Sequence, residues 1–212
     1  MKDHIKVETP SNIDKLESML ADHLNQPFVQ SVMTGLREGF CPLDDGEWKV
    51  KLEEVVDNYS MDEDDLIAIH NFQVKERSAG HWSNELSDSQ LLPGMKMSPM
   101  FVIWQNGKAQ VITYHSGSGI NNGIPKSGAK VCYDDIHPFG QSLCDAHTDN
   151  PGRCIITFKS DVTSTFLNLP AHPLWQLHQV VIVEGKLYII RHLVFGNHPS
   201  PHCWCAVSGL LC

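Results

Sequence analysis

No stretch of the 212 residues approaches the roughly 18 consecutive apolar positions that a bilayer-spanning helix needs, and no signal-peptide pattern opens the sequence. No membrane association is expected, and an intracellular protein is, with cytoplasm and nucleus equally open. Basic residues are scarce: 16 Lys and Arg face 25 Asp and Glu, a net charge of −9. Phosphate binding depends on clustered cations that release counterions, so composition argues against an autonomous grip on nucleic acid. The seven cysteines are odd in number and lack framework spacing, which excludes a disulfide scaffold and leaves reduced thiols. Internal repeats and low-complexity tracts are absent.

What is there suits a globular fold, since 42% hydrophobic content over this length can bury one sizeable core or two small ones. The charge is uneven. Residues 1–90 hold 19 acids and 8 bases, whereas 91–212 hold 6 acids and 8 bases. A boundary is therefore expected near Leu92-Pro93-Gly94, between an acidic helical leader, 1–90, and a strand-rich part, 91–212.

Within the leader, Ser11-Asn12 and Asp14 start a helix whose Ile13, Leu16, Leu20 and Leu24 repeat at near-helical spacing and which ends before Pro27. Phe28, Val32 and Leu36 mark a second amphipathic helix stopped by Gly39. A third begins near Asp62 and runs toward Gly80. The acid run Asp62-Glu63-Asp64-Asp65 reads most simply as a solvated helix start favoured by the macrodipole, not as a metal site. In the second part, runs at 100–104 and 111–114 flank Asn106-Gly107, a tight hairpin signal. Runs at 176–183 and 186–192 flank Glu184-Gly185, and the continuous apolar Val180-Val181-Ile182 predicts a sheet covered on both faces. A helix is expected from Pro201, packing Trp204, Val207 and Leu211 on the sheet. The class is α+β.

The segment 158–170, FKSDVTSTFLNLP, carries the chemistry. Ile155 and Ile156 are β-branched and Phe158 is aromatic, so a buried strand is expected to end at Asp161 and fix its carboxylate. Magnesium accepts near-octahedral oxygens and usually shares one or two carboxylates with substrate phosphates, so Asp161 is a candidate metal ligand. A bulky aromatic, Phe166, follows five residues later. Downstream stand Gly196 and, four and five residues on, Ser200-Pro201. Glycine allows close backbone approach, and the proline stiffens a helix entry.

Asp161 with Phe166, followed by Gly196 with Ser200-Pro201, resembles the palm of reverse transcriptases, and 98–121 resembles the fingers hairpin of the retrotransposon enzymes abundant in fungi. The stretches 25–29 and 35–40 resemble the leader of those elements. The resemblance implies helices followed by a truncated fingers and palm with a small, mostly antiparallel sheet. It implies RNA-directed DNA polymerisation, with template-primer and deoxynucleotide as partners and Mg²⁺ or Mn²⁺ as cofactor. Asp161 and the carbonyl of Val162 would hold metal, Phe166 would reject a 2′-hydroxyl, and Lys108 would meet the triphosphate. Gly196 would let the nascent base pair approach, beside Ser200 and Pro201.

Two departures sit in the hairpin. Gln110 stands where the family has Arg, and a neutral amide does not replace a charged bidentate fork on phosphate. Tyr114 stands where the family has Asp. Both read as decay. The family's second motif, an aromatic followed by paired Asp, is expected after Ser200-Pro201 but is not reached by Cys212. Two-metal phosphoryl transfer needs carboxylates from both motifs, so polymerisation by this chain alone is not expected. Tyr133-Asp134-Asp135-Ile136 precedes Asp161 and reads as the start of a helix through Phe139 and Leu143.

Rival constellations are weaker. His198, His202, Cys203 and Cys205 suggest zinc, but Cys-x-Cys spacing suits it poorly. His115 beside Ser116 and Ser118 has no nucleophile elbow or acid partner, so local turn hydrogen bonding is expected there. The alternative function is a non-catalytic interaction protein retained from a retroelement, self-associating through an exposed sheet edge.

Overall fold

Side-chain caps set the starts of the first three helices in the computed structural model, which describes residues 3–42, 58–87, 91–125, 131, 136–157 and 161–210. Asn12 accepts from the Lys15 amide at the start of α1 (Ile13–Met19), and Asn25 from the Phe28 amide at α2 (Gln26–Glu38). Asp62 accepts from the Asp65 amide at α3 (Glu63–Ser78). Each bond satisfies one of the amides that a helix start leaves unpaired. The first helix is shorter than its periodicity predicts, and Leu24 is fully exposed. Its continuation is replaced by a turn in which the Gln26 side-chain amide donates to the carbonyls of Leu20, Ala21 and His23.

Both expected hairpins form. β1 (Met100–Gln105) pairs antiparallel with β2 (Lys108–Thr113), and β3 (Val180–Val183) with β4 (Lys186–Ile189). Asn106 and Gly107 have φ of 50° and 71°, and Glu184 and Gly185 have 51° and 77°, the paired positive values of a turn whose twist matches the strands. The small antiparallel sheet is thus two separate two-stranded sheets. The fold is α+β, as expected.

The strand expected over 176–183 begins later than its composition suggests. Pro173, with His172 as cap, starts the single-turn α5 (Pro173–Gln176), and the buried Gln179 side chain donates to the carbonyls of Ile190 and His192. Val180 lies in one apolar cluster and Val181 and Val183 in another, so β3 is covered on both faces.

Among the described residues three apolar clusters form, and each draws residues from both sides of Leu92-Pro93-Gly94. In the first, Val29, Val32, Met33 and Leu36 of α2 meet Leu193 and Val207. Ile69 of α3 and Trp82 meet Met100, Val181 and Ile190 in the second. The third joins Leu86 to Met95, Met97, Val180 and Ile189. Full burial of one such side chain is worth about 1.5–3 kcal/mol.

The last helix, α6 (Ser200–Ser208), packs differently from expectation. Its buried Cys203 and Val207, one turn apart, face the α2 cluster instead of a sheet. The faces of β3 and β4 are already filled by Trp82 on one side and Met95 and Met97 on the other. Helix α4 (Ile136–Asp149) has no buried residue, and Tyr133-Asp134-Asp135 before it lie outside the described residues. Among the described residues no helix is long and apolar enough to cross a membrane.

An extended segment runs from Asp3 to Pro10 across the second half. The Arg191 guanidinium donates to the carbonyls of Asp3 and His4, His192 Nε2 to that of Glu8, and the Gln176 amide to that of Lys6. Beside this grip on the main chain, Ile5 packs on the third apolar cluster and the Thr9 hydroxyl donates to the Asn168 carbonyl at 3.1 Å.

Candidate functional site

Phe166 sits in a short 3-10 turn, Thr165–Asn168, entered through Ser164 at φ 54°. The loop is tied to itself: the Thr165 hydroxyl donates to the Val162 carbonyl at 2.8 Å and the Asn168 side chain to the Thr163 carbonyl at 3.2 Å. This holds the half-buried Phe166 ring edge-on to Phe195, with centroids 4.7 Å apart.

Gly196 follows with φ 92°, and a Cβ there would lie 2.5 Å from the carbonyl oxygen of Thr113, the last residue of β2. Asn121 clamps the same turn. Its Nδ2 donates to the Gly196 carbonyl at 2.7 Å, and its Oδ1 accepts from the His198 amide at 3.1 Å. Ser200, fully buried, donates its hydroxyl to the Val194 carbonyl at 2.9 Å, and Pro201 occupies the first turn of α6. Two sequence motifs 30 residues apart, at 166 and 196, thus meet at the end of the β1–β2 hairpin. Around that meeting point Phe72, Trp82, Val111, Phe166, Leu167 and Phe195 enclose an apolar cavity of about 200 Å³.

Lys108 and Gln110 are placed elsewhere. By strand alternation they lie on the face opposite Ala109, Val111 and Thr113, the residues that turn toward α3 and the cavity. Both are exposed, and Gln110 donates to Gln105 across the hairpin at 3.0 Å. Tyr114 is packed: its ring lies 5.8 Å from Phe101 and 6.0 Å from Tyr59.

The buried strand expected before Asp161 does not form among the described residues. Ile156 is 82% exposed and Ile155 is partly exposed, while Phe158 lies outside the described residues. β-branched residues favour strand where a partner strand and a covering layer exist, and residues 153–157 have neither among the described elements. Asp161 is exposed, and no ion pair among the described residues involves it. It and the Val162 carbonyl, which already accepts from the Thr165 hydroxyl and keeps one lone pair, are oxygen groups of the chemistry that a divalent ion takes. They do not fit the paired ions of two-metal transfer, because among the described residues no three His, Cys, Asp or Glu side chains gather.

The rival constellations resolve into packing. Ser118 donates to the His115 carbonyl at 3.1 Å and lies 2.9 Å from the Ser98 hydroxyl, as turn bonding requires. The His115 ring is fully buried, with no hydrogen-bond partner at either nitrogen among the described residues. Burial lowers its pKa to about 3, so it stays neutral. Cys203 is a core residue, and the same desolvation pushes its thiol up to about 12.

Glu76 had no signal in the sequence. It is buried near the end of α3, with Oε2 2.6 Å from His81 Nδ1 and Oε1 3.7 Å from the Lys75 ammonium. Asn121 was also missed, because a lone Asn in a Gly-rich loop reads as a turn residue.

No family model matches the sequence, and no curated protein matches it. Solved structures do. The chain is similar to a foamy viral protease-reverse transcriptase in complex with double-stranded DNA, with a TM-score of 0.53 and 13% identity over 96% of this chain and 42% of that one. It is also similar to a foamy viral protease-reverse transcriptase dRH, likewise in complex with double-stranded DNA, with a TM-score of 0.50 and 12% identity over 96% of this chain and 36% of that one. The chain thus spans about two fifths of the proteins it matches. At such identities the likeness is one of architecture, and the chain has the fold of a reverse transcriptase fragment.

Proposed function

We propose that this chain is the fingers and first part of the palm of a retroelement RNA-directed DNA polymerase of the fungal retrotransposon type, acting inside the cell. The observation that carries this reading is the meeting of Phe166, Phe195-Gly196 and the end of β2 at one point of a reverse-transcriptase-like fold. The partners are an RNA or DNA template-primer and a deoxynucleotide. Phe166 bars a 2′-hydroxyl by its bulk, and Lys108 meets phosphate from the exposed face of the hairpin. Gly196 keeps its turn flat, and Ser200 with Pro201 fixes the helix behind it. Asp161 and the Val162 carbonyl would hold one Mg²⁺ or Mn²⁺, which supplies charge stabilisation to transferring phosphoryl oxygens when bound. With one candidate catalytic carboxylate and with Gln110 in place of a cation, the 212-residue polypeptide alone does not transfer nucleotides.

Photolabelling tests the assignment. With template-primer present, 4-thio-dTTP is expected to label 98–121 or 161–170 saturably and in preference to 4-thio-UTP, and Phe166→Ala is expected to abolish that preference. Absence of saturable labelling, or equal labelling by both nucleotides in the unaltered chain, defeats the reading. Mg²⁺-dependent primer extension lost in Asp161→Asn would overturn the statement that the isolated polypeptide is inactive.

A non-catalytic interaction protein is the second reading, favoured by α4, whose Ile136 and Phe139 are 71% and 52% exposed. It predicts concentration-dependent association, through that face or the open edges of the β1–β2 hairpin. A constant monomer mass in light scattering across concentrations counts against it.

A further inference from the structure

We propose that the cavity beside Phe166 is a binding site for a small, neutral, flat aromatic molecule of one or two rings. The inference rests on the cavity itself and stands whether or not the chain descends from a polymerase.

Size comes first. An engineered apolar cavity of about 150 Å³ stays dry and takes up benzene, and this one measures about 200 Å³. A ligand that fills it removes apolar lining from water and gains dispersion contacts with that lining. The lining favours an aromatic occupant. Phe72 and Trp82 meet edge-to-face at 5.8 Å, and Phe166 and Phe195 do so at 4.7 Å. Two such pairs on the wall present ring edges and faces to a third ring.

Charge on the ligand is disfavoured. Lys75 and Glu76 both line the cavity, and they face each other at 3.7 Å, with His81 2.6 Å from the other carboxylate oxygen. The two charges of the lining are thus already paired, and a charged ligand of either sign would compete with a partner in place. Thr113 and Ser164, also in the lining, leave room for one polar edge such as a ring N–H. Ser164, Phe195 and Lys75 of the lining are exposed, so the cavity is reached from solvent past these residues. An occupant sits against the Phe166–Phe195 pair.

Indole is the probe. Titrated into the full chain and followed by calorimetry, it is expected to bind saturably at one site and to raise the melting temperature. Val111→Phe places a ring in the space the ligand needs and should weaken binding about tenfold or more while circular dichroism stays native. Should that variant not fold, the unaltered protein decides: 5-azidoindole is expected to label residues 72–82, 111–113, 164–167 or 190–195, in competition with indole. Absence of saturable binding, a folded Val111→Phe of unchanged affinity, or labelling confined elsewhere or indifferent to indole overturns the proposal.

Discussion

Replacing Gly196 with alanine separates what the fold needs at this position from what a substrate would need. The residue has φ 92°, and an added Cβ would lie 2.5 Å from the Thr113 carbonyl oxygen. That oxygen belongs to the main chain at the end of β2 and cannot swing aside. Holding a non-glycine residue in the left-handed region costs about 1–2 kcal/mol, and forcing extra volume into a packed site costs about 1–3 kcal/mol more. The total, about 2–5 kcal/mol, is a large share of the 5–15 kcal/mol that holds a typical domain folded. With a urea slope of about 2 kcal/mol per molar, the unfolding midpoint should fall by about 1–2.5 M. Gly94→Ala is the control, since Gly94 has φ 85° and nothing lies within 4 Å of its added Cβ. That variant carries the backbone penalty alone, so the difference between the two isolates the contact with Thr113. Urea unfolding followed by circular dichroism measures both. If they differ by less than about 0.5 kcal/mol, packing against β2 is not what reserves position 196 for glycine. The comparison also sets how nucleotide labelling is read, because a loss proportional to the unfolded fraction reports on the fold.

Gln176→Ala removes a buried side chain that donates to the Lys6 and Ala171 carbonyls at 2.7 Å each, leaving acceptors unmet. It should cost about 1–3 kcal/mol and speed trypsin cleavage after Lys6, and an unchanged cleavage rate would count against the grip on the first ten residues. Iodoacetamide at mildly alkaline pH should modify the exposed Cys41, Cys144 and Cys154 well before Cys203, whose thiol burial pushes up to about 12; equal rates by mass spectrometry refute the buried placement. Burial also lowers two histidines from 6.5, His115 to about 3 and His192 to about 4. Between those values and 6.5 the unfolded chain binds protons that the folded chain refuses, so stability falls as pH drops below about 6.5. The His192 share of that loss levels off near pH 4 and the His115 share near pH 3. Thermal melts from pH 7 to pH 4 should show a steadily falling midpoint, and a flat profile contradicts the burial of both rings.

Local signals carried most of the secondary structure. Asn12, Asn25 and Asp62 cap helices because a short side-chain oxygen reaches an amide two or three residues on, an interaction complete within one turn of chain. Asn106-Gly107 and Glu184-Gly185 turn hairpins for an equally local reason. What failed needed a distant partner. Ile155 and Ile156 have the composition of a strand, but no described strand pairs with them, and burial rather than branching makes a strand. Of the stripe expected on α6, Val207 is buried, Trp204 is half-buried and Leu211 lies outside the described residues; their destination was decided by which surfaces β3 and β4 had already filled. The grip on the main chain of residues 3–10 needed distant partners, because Arg191, Gln176 and His192 supply its donors.

The candidate site divides along the same line. The spacings at 161–166 and 196–201 were readable, because each is local in the chain; the structure joins them through the Phe166–Phe195 ring contact and holds the Gly196 turn with groups that have no signature of their own, the Thr113 carbonyl and the Asn121 amide. Residues 110 and 114 of the hairpin have partners of their own. Tyr114 forms an aromatic trio with Tyr59 and Phe101, its rings meeting edge-on or tilted. Gln110 bonds to Gln105 on the facing strand. An amide pair and edge-on rings find their partners within the protein. Both residues therefore tie the hairpin through its own contacts, with Lys108 on its exposed face.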